Sequence, residues 1–190
     1  MHKNNSNLGM GGNLKVLFEI SINKKADIII QLHGDNQYDA SKIPLFLEKM
    51  INQNSDMVLG SRILGEESLS GGMPIYKFYG NKFLSYIQNS VYGLELSDYA
   101  TGYKSYKTDI LKRIPYKKNR DDFIFDEQIN TQFAFFTDKI TQVGIPTRYF
   151  KEASSVGLLT SIHYGLLTLV TLVEYIIAKK NFYTPKYLKK

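Results

Sequence analysis

Short apolar runs alternate with helix-like patterns along most of the chain. Apolar and β-branched runs predict strands at residues 26–32, 56–60 and 139–145, and a turn within residues 97–106 leads into another short strand. Apolar positions at helical spacing predict helices at residues 13–23, 41–52, 75–92, 108–114 and 125–136. Ser41 is expected to cap the second helix, with Pro44 in its first turn. Strand, helix and strand in succession predict a βαβ unit with a right-handed crossover, and therefore an α/β fold.

The two ends of the chain depart from this pattern. The first residues lack the apolar segment of a signal peptide, and the glycines at 9, 11 and 12 could cap the first helix, approach a phosphate or form a flexible entry. The apolar stretch from Ile162 to Ala178 is at the lower edge of the length that spans a bilayer. It is interrupted by Glu174. We expect residues 161–190 to form an interfacial or bundle-packing helix with a basic tail, following a domain at residues 1–160.

Composition narrows the class of protein. A length of 190 residues with 43% hydrophobic and 22% charged residues is typical of one soluble domain with a sizeable core. The absence of cysteine excludes disulfides and thiolate metal sites and suits a cytoplasmic location. The net charge of +6 comes largely from lysines in the tail and at residues 117–120, without a nucleic-acid-binding signature, so we expect no nucleic acid partner. The tail favours an anionic membrane surface, and a solvated basic face is an equal alternative.

Candidate chemistry is concentrated directly after the first predicted strand. Asp35 lies at the carboxyl end of that strand, where open α/β sheets bind their ligands. A carboxylate there can hold a hard cation, which in turn would hold a diphosphate. His33 is a second possible ligand, because a neutral imidazole binds metals. The alternatives are an Asx-type turn for Asp35 and a purely structural role for His33.

The sequence resembles family 2 glycosyltransferases, which have the GT-A fold, and especially the branch similar to dolichyl-phosphate mannosyltransferase. The resemblance covers about residues 9 to 165 and rests on motifs that follow one another in the family's order. These are His33-Gly34-Asp35-Asn36-Gln37, Gly60-Ser61-Arg62, Gly71-Gly72-Met73-Pro74, Asp98-Tyr99-Ala100-Thr101-Gly102-Tyr103-Lys104, Phe125-Asp126-Glu127-Gln128-Ile129 and Val143-Gly144-Ile145-Pro146-Thr147-Arg148-Tyr149. It implies a GT-A-like, Rossmann-like mixed sheet flanked by helices, ending in an apolar helix.

The family transfers a sugar from a nucleotide-diphosphate donor to an acceptor, usually with inversion. The resemblance implies that Asp35 binds Mg²⁺ or Mn²⁺, with Gln37 close by as a substrate-binding residue. His33 stands where the family's first aspartate normally stands, and imidazole suits Mn²⁺ better than Mg²⁺. Asp98 matches the acidic residue on the acceptor side. It would be the general base for a hydroxyl acceptor, or would orient the sugar if the acceptor is already a lipid phosphate.

Four further residues match basic or small positions of the family. Arg62 and Lys104 are similar to the residues that meet phosphates in members acting on lipid phosphates, where arginine is the better bidentate clamp. Arg148 and Ser154 lie where the family carries a late loop over the donor. Asp126 and Glu127 lie in a predicted helix, with structural and site-facing roles both open. For any of these basic residues a solvated surface position is the alternative.

The family's opening motifs are not found before Gly9. Typical members begin with a strand and a Pro-x-Tyr-Asn-Glu-like turn, then a second strand with an Asp-Asp-Gly-Ser-like turn that grips the nucleoside. We therefore expect an N-terminally truncated domain with an exposed sheet edge and a half-built nucleoside pocket. Three functions stay open: a transferase acting alone or with a partner chain, a non-catalytic remnant or half of a split enzyme, and a module that binds the inner face of a membrane.

Overall fold

A four-stranded mixed sheet forms the centre of the protein. The computed structural model describes residues 2–65, 68–149 and 157–190. The strands are β1 (Ile28–Gln31), β2 (Met57–Ser61), β3 (Lys104–Lys107) and β4 (Ile140–Gly144), in the spatial order β1-β3-β2-β4. The third strand is antiparallel to both β1 and β2, whereas β4 pairs with β2 in parallel. The α/β class is confirmed, and β4 is the edge strand that the sequence predicts.

Helices flank this sheet close to the predicted positions. They are α1 (Gly9–Asn23), α2 (Ile43–Asn52), α3 (Ile75–Tyr92), α4 (Thr108–Arg113), α5 (Phe125–Phe136) and α6 (Leu158–Lys179). Short 3₁₀ segments occupy Ala40–Lys42, Tyr116–Lys118 and Lys186–Leu188. The strands β1 and β2 run parallel, as in the predicted βαβ unit, but β3 is inserted between them.

Each face of the sheet packs its own apolar cluster. On the face towards α1 and α5, the Phe18 ring contacts Tyr106 at a centroid distance of 5.3 Å and Phe125 at 6.0 Å. On the opposite face, Phe46 of α2 stacks on Tyr103 at 4.2 Å. This division follows the two-residue period of a strand, which turns successive side chains to opposite faces.

Two expectations about helix starts were wrong. The helix α1 begins at Gly9 rather than at residue 13, so the glycine cluster forms its first turn. The backbone N–H groups of Gly11 and Gly12 donate to the Asp121 carbonyl at 2.8 and 3.2 Å, and a Cβ on Gly11 would overlap Phe125. Ser41 does not act as the capping side chain. The helix α2 begins at Ile43, after Lys42, without a side-chain cap. Ser41 lies instead in the preceding 3₁₀ segment, which Asp39 caps by accepting the Ser41 N–H at 2.8 Å.

The last helix, α6, packs one face on the domain and exposes the other. Tyr175 contacts Phe135 of α5 edge to face at 5.8 Å, while Leu159 is 83% exposed and Val173 is 55% exposed. By length and composition α6 could cross a membrane, but a core helix can pass the same test, so this is weak evidence. The predicted boundary at residues 160 and 161 falls in its first turn, and the division into two parts stays a prediction.

Candidate functional site

A cavity of about 250 Å³ lies at one end of the sheet. Because β1 and β2 run parallel and β3 runs antiparallel between them, the segments after β1 and β2 meet the segment before β3 at this end. The helices α3 and α6 form the opposite wall. The lining includes His33, Gln37 and Tyr38 after β1, Arg62 after β2, Thr101 and Gly102 before β3, Lys77 of α3, and Ser161 and Tyr164 of α6.

A buried ion pair forms the centre of the cavity wall. Arg62 donates from Nε and Nη2 to the two Asp98 carboxylate oxygens at 2.6 and 2.8 Å. The guanidinium also donates to the Ala100 carbonyl at 2.7 Å and to the Tyr149 hydroxyl at 3.0 Å. Burial alone would lower the pKa of Arg62, but the charge of Asp98 raises it well above the usual value. Arg62 is therefore a fixed cation that faces the cavity.

Asp98 is linked to the cavity only indirectly, through its hydrogen bonds with Arg62. Its side chain is fully buried, and both carboxylate oxygens accept hydrogen bonds from that guanidinium. Asp98 is absent from the described lining of the cavity, whereas Arg62 is part of it. This arrangement suits a residue that positions a cation. Its predicted role as a catalytic base stays a prediction.

His33 and Gln37 present unpartnered nitrogen atoms at the cavity. Within the described part of the chain, His33 Nε2 and Gln37 Nε2 are buried and have no hydrogen-bond partner. Both residues line the cavity, and Gln37 is only 8% exposed. A buried polar group without a partner costs free energy, and such groups are rare in native proteins. These two nitrogens are therefore suited to contact a bound ligand.

Gly102 allows His33 to lie where it does. A Cβ at Gly102 would overlap the His33 ring, so we expect Gly102→Ala to displace His33 and to destabilise the fold by about 1–3 kcal/mol. Gly80, in the interior of α3, also lines the cavity, but a Cβ added there would meet only open space. Gly80→Ala is expected to stabilise the protein by about 0.5–1 kcal/mol. Urea denaturation of both variants checks this contrast, and equal effects would contradict it.

Asp35 lies beside a second cavity next to the first. This cavity, of about 510 Å³, is lined by α1 and β1, and His33 and Met10 border both cavities. Asp35 Oδ1 accepts the Gln37 N–H at 3.2 Å, which is the Asx-type turn that the sequence left open. No group of three His, Cys, Asp or Glu side chains suited to a metal occurs among the residues that the structure describes. A cation at Asp35 and His33 would therefore need further oxygen ligands, as Mg²⁺ commonly takes from substrate phosphates.

Lys104 lies in the core rather than at the cavity. Its side chain is fully buried, and Nζ donates to Asn130 Oδ1 at 3.0 Å and to Asp126 Oδ1 at 3.3 Å. Asp126 does line the cavity and also accepts from Gln31 Nε2 at 3.1 Å. Lys104 is therefore connected to the cavity through Asp126, which is part of the cavity lining. A direct phosphate contact from Lys104 stays a prediction.

The late loop is only partly described. Arg148 is exposed and absent from the described cavity lining, although its backbone N–H donates to the Gln37 carbonyl at 3.1 Å. Ser154 lies outside the described residues, so its predicted role stays a prediction. Tyr149, next to Arg148, reaches the cavity and accepts a hydrogen bond from Arg62.

Lys77 is a site residue that the sequence analysis missed. It lies in the first turn of α3 and lines the same cavity as Arg62. Burial, and then the positive charge of Arg62, lower the pKa of Lys77. Two cations thus face one cavity, an arrangement that favours an anionic ligand. The sequence signal that could have identified Lys77 is the Gly72-Met73-Pro74 segment. This segment directly precedes α3 and determines where its first turn lies.

This combination of an α/β sheet, a cavity at its strand ends and paired cations is typical of a domain that binds phosphorylated ligands. Residues 2–115 match the sequence model described as "Glycosyl transferase family 2". The chain belongs to this family, which confirms the resemblance and agrees with a GT-A-like fold.

Three relatives extend the comparison. An uncharacterized protein of Methanocaldococcus jannaschii is 25% identical over 171 residues, covering 88% of this chain and 68% of the relative. The UDP-N-acetylglucosamine–dolichyl-phosphate N-acetylglucosaminyltransferase of Methanococcus voltae is 30% identical over 114 residues, which are 58% of this chain and 43% of the relative. The undecaprenyl-phosphate mannosyltransferase of Micrococcus luteus is 27% identical over 111 residues, 56% of this chain and 42% of the relative. The matches thus span less than half of the two named transferases.

Proposed function

We propose that this chain provides the catalytic face of a glycosyltransferase that moves a sugar from a nucleotide-diphosphate donor to a polyprenyl phosphate. The observation that carries the proposal is the cavity where Arg62 and Lys77 face the unpartnered nitrogens of His33 and Gln37. Cations and donors of this kind stabilise the charge that develops on a departing diphosphate. The names of the relatives from M. voltae and M. luteus support a lipid-phosphate acceptor.

The chemistry then follows from the charges. An oxygen of the acceptor phosphate attacks the anomeric carbon, and the bond from that carbon to the donor diphosphate breaks, with inversion. An anionic acceptor needs no general base. Asp98 therefore acts by holding Arg62, and Arg62 binds a phosphate group. A divalent cation, Mg²⁺ or Mn²⁺, would be held by Asp35 and His33 together with diphosphate oxygens, and would supply further charge neutralisation.

A thermal-shift titration tests donor binding. The purified chain is melted with Mn²⁺ alone and with Mn²⁺ plus UDP, GDP or their sugar conjugates. We expect a nucleotide-specific, metal-dependent rise of Tm in the wild type, because a ligand that binds only the native state stabilises it. The rise should vanish in Asp35→Ala.

Asp39→Ala is the matched control for this titration. The Asp39 carboxylate accepts the backbone N–H of Ser41 at 2.8 Å, and the Asp35 carboxylate accepts that of Gln37 at 3.2 Å. Each variant therefore loses one turn-stabilising hydrogen bond. Asp39 is not among the described residues that line either cavity. The Tm rise should persist in this variant. A cooperatively melting wild type without any ligand shift would contradict the proposal for the isolated chain and favour a non-catalytic remnant or half of a split enzyme.

The exposed face of α6 supports a location at the inner surface of a membrane. Leu159 and Ile162 are 83% and 52% exposed, and a lysine-rich tail follows the helix. We expect the protein to co-sediment with anionic liposomes and to be released by salt, because surface electrostatics are screened. Leu159→Glu should weaken co-sedimentation, whereas Ile51→Glu, at a 69% exposed site on α2, should not. Equal binding by both variants would contradict a role for α6.

A further inference from the structure

The Asp126 carboxylate is held through one of its two oxygens. Its Oδ1 accepts hydrogen bonds from Gln31 Nε2 at 3.1 Å and from Lys104 Nζ at 3.3 Å. The Gln31 amide is itself fixed, because its Oε1 accepts the Tyr106 hydroxyl at 2.7 Å. No residue in the described part of the chain donates to Asp126 Oδ2. Since Asp126 is only 9% exposed and lines the candidate cavity, Oδ2 is a preorganised acceptor for a ligand there.

The charges around Asp126 restrict what its free oxygen can bind. An anionic group would be repelled by the carboxylate itself. A cation would be repelled by the Lys104 ammonium, which lies 3.3 Å from Oδ1, and by Arg62 and Lys77 of the same cavity. A neutral hydroxyl group fits, because it donates a charge-assisted hydrogen bond without adding charge. Asp126 therefore marks a neutral, hydroxyl-bearing part of the ligand.

Two aromatic rings line the same cavity near the start of α5. Phe123, just before α5, and Tyr164 of α6 both belong to the lining, and their ring centroids are 6.0 Å apart. Glu127, the neighbour of Asp126 in α5, accepts the Tyr164 hydroxyl at 3.4 Å and so positions that ring. A sugar ring has apolar C–H faces as well as hydroxyl groups. Aromatic rings and a carboxylate at one wall therefore match both kinds of sugar surface.

Arg62 lies at a different strand end from Asp126. Asp126 is hydrogen bonded to Gln31 at the end of β1, whereas Arg62 follows β2, and β3 lies between these two strands. The carboxylate that Arg62 contacts is that of Asp98. A ligand whose phosphate lies at Arg62 can therefore place a neutral group at Asp126, on the other side of the cavity.

We propose that Asp126, Phe123 and Tyr164 form the subsite for the donor's sugar, and that the Asp126 charge selects neutral sugars over uronic acids. This subsite rests on the proposed function, because the diphosphate held by Arg62 and Lys77 brings the sugar to it. A hydroxyl of the sugar donates to Asp126 Oδ2, and a C–H face of its ring packs on the aromatic rings. A uronic acid would instead bring a second carboxylate into the same cavity.

The test compares the dissociation constant of a nucleoside diphosphate with that of its neutral sugar conjugate. Calorimetric titration with Mn²⁺ measures UDP against UDP-glucose and GDP against GDP-mannose. We expect Asp126→Asn to weaken binding of the conjugate about tenfold and to change that of the bare diphosphate less than about twofold, because only the sugar loses its hydrogen bond to a charge. Asp121→Asn is the matched control. Asp121 also pairs with a lysine, Lys15, at 2.7 Å, but lies outside the described lining of both cavities.

Phe123→Ala tests the same subsite while the buried Lys104 keeps its carboxylate partner. It should weaken the conjugate selectively, whereas Phe83→Ala, at a 63% exposed position of α3 outside the described cavity lining, should not. The charge of the sugar provides a further readout. The wild type should bind UDP-glucose more tightly than UDP-glucuronic acid, and Asp126→Asn should lose most of that preference.

The outcomes separate the subsite from the proposed function. Equal weakening of bare diphosphate and conjugate by Asp126→Asn would assign Asp126 to the ribose hydroxyls and overturn the sugar subsite. Conjugate binding that neither Asp126→Asn nor Phe123→Ala changes would overturn it as well, and both results leave the proposed function intact. A wild type that binds neither diphosphates nor conjugates would contradict the proposed function, and the subsite with it.

Discussion

Replacing Arg62 with methionine is expected to destabilise the fold by about 3–5 kcal/mol, because it leaves a buried carboxylate without its partner. Asp98 is fully buried, and the hydrogen bonds from Arg62 to its two oxygens measure 2.6 and 2.8 Å. Asp98→Asn should also be strongly destabilising, since Arg62 then keeps its charge in the same surroundings. The double variant should lose less stability than the two single losses together.

Urea denaturation of the four proteins measures this coupling. Lys112→Met provides the control, because Lys112 and Asp109 form an ion pair at 3.7 Å with side chains 48% and 82% exposed. Exposed pairs contribute about 1 kcal/mol or less, so this variant should be nearly as stable as the wild type. The prediction is wrong if Arg62→Met lowers the free energy of unfolding no more than Lys112→Met does. The cavity wall would then tolerate an unpaired Asp98.

Stability should fall as the pH rises from about 5 to 8, and Glu127 is the expected cause. Glu127 is fully buried and accepts hydrogen bonds from Gln88 Nε2 at 2.9 Å, the Tyr92 hydroxyl at 3.2 Å and the Tyr164 hydroxyl at 3.4 Å. Burial raises its pKa from 4.5 to about 7, against the opposing charge of Lys104. Between these two values the folded state keeps a proton that the unfolded state releases. Raising the pH therefore favours unfolding, until the effect levels off above the folded-state pKa.

Glu127→Gln should remove this component of the pH dependence. The difference in unfolding free energy between wild type and variant is expected to change by about 2–3 kcal/mol between pH 5 and pH 8. Urea denaturation at both pH values measures it. Glu48→Gln, at an exposed position of α2, is the control for loss of one carboxylate. Parallel pH profiles for wild type and Glu127→Gln would contradict the prediction.

The local elements could be predicted because their signals are local. The helices α3 and α5 were predicted with the bounds they have, since their apolar spacing is regular and proline or loop residues precede α3. The insertion of β3 between β1 and β2 could not be predicted in the same way. It depends on pairing between segments far apart in sequence, which a local pattern does not specify.

In the candidate site too, residues placed by local structure could be predicted and residues placed by tertiary packing could not. His33, Gln37 and Arg62 reach the cavity directly from strand ends, so their positions were accessible to sequence reasoning. Lys77 was not, because it reaches the cavity only through the packing of α3. Lys104 could have been placed better, since strand alternation puts it on the same face as Tyr106, which packs against the buried Phe133 of α5 at 5.6 Å.

The insertion of β3 also determines the span of the candidate site. Neighbouring strands lie about 4.8 Å apart, so β1 and β2 are separated by two such spacings, or about 10 Å. His33 and Gln37 follow one of these strands and Arg62 follows the other. A ligand that touches both sets must therefore lie across the strands rather than along them. The strand order therefore sets a minimum length for the ligand, independently of the side chains that select a sugar or a base.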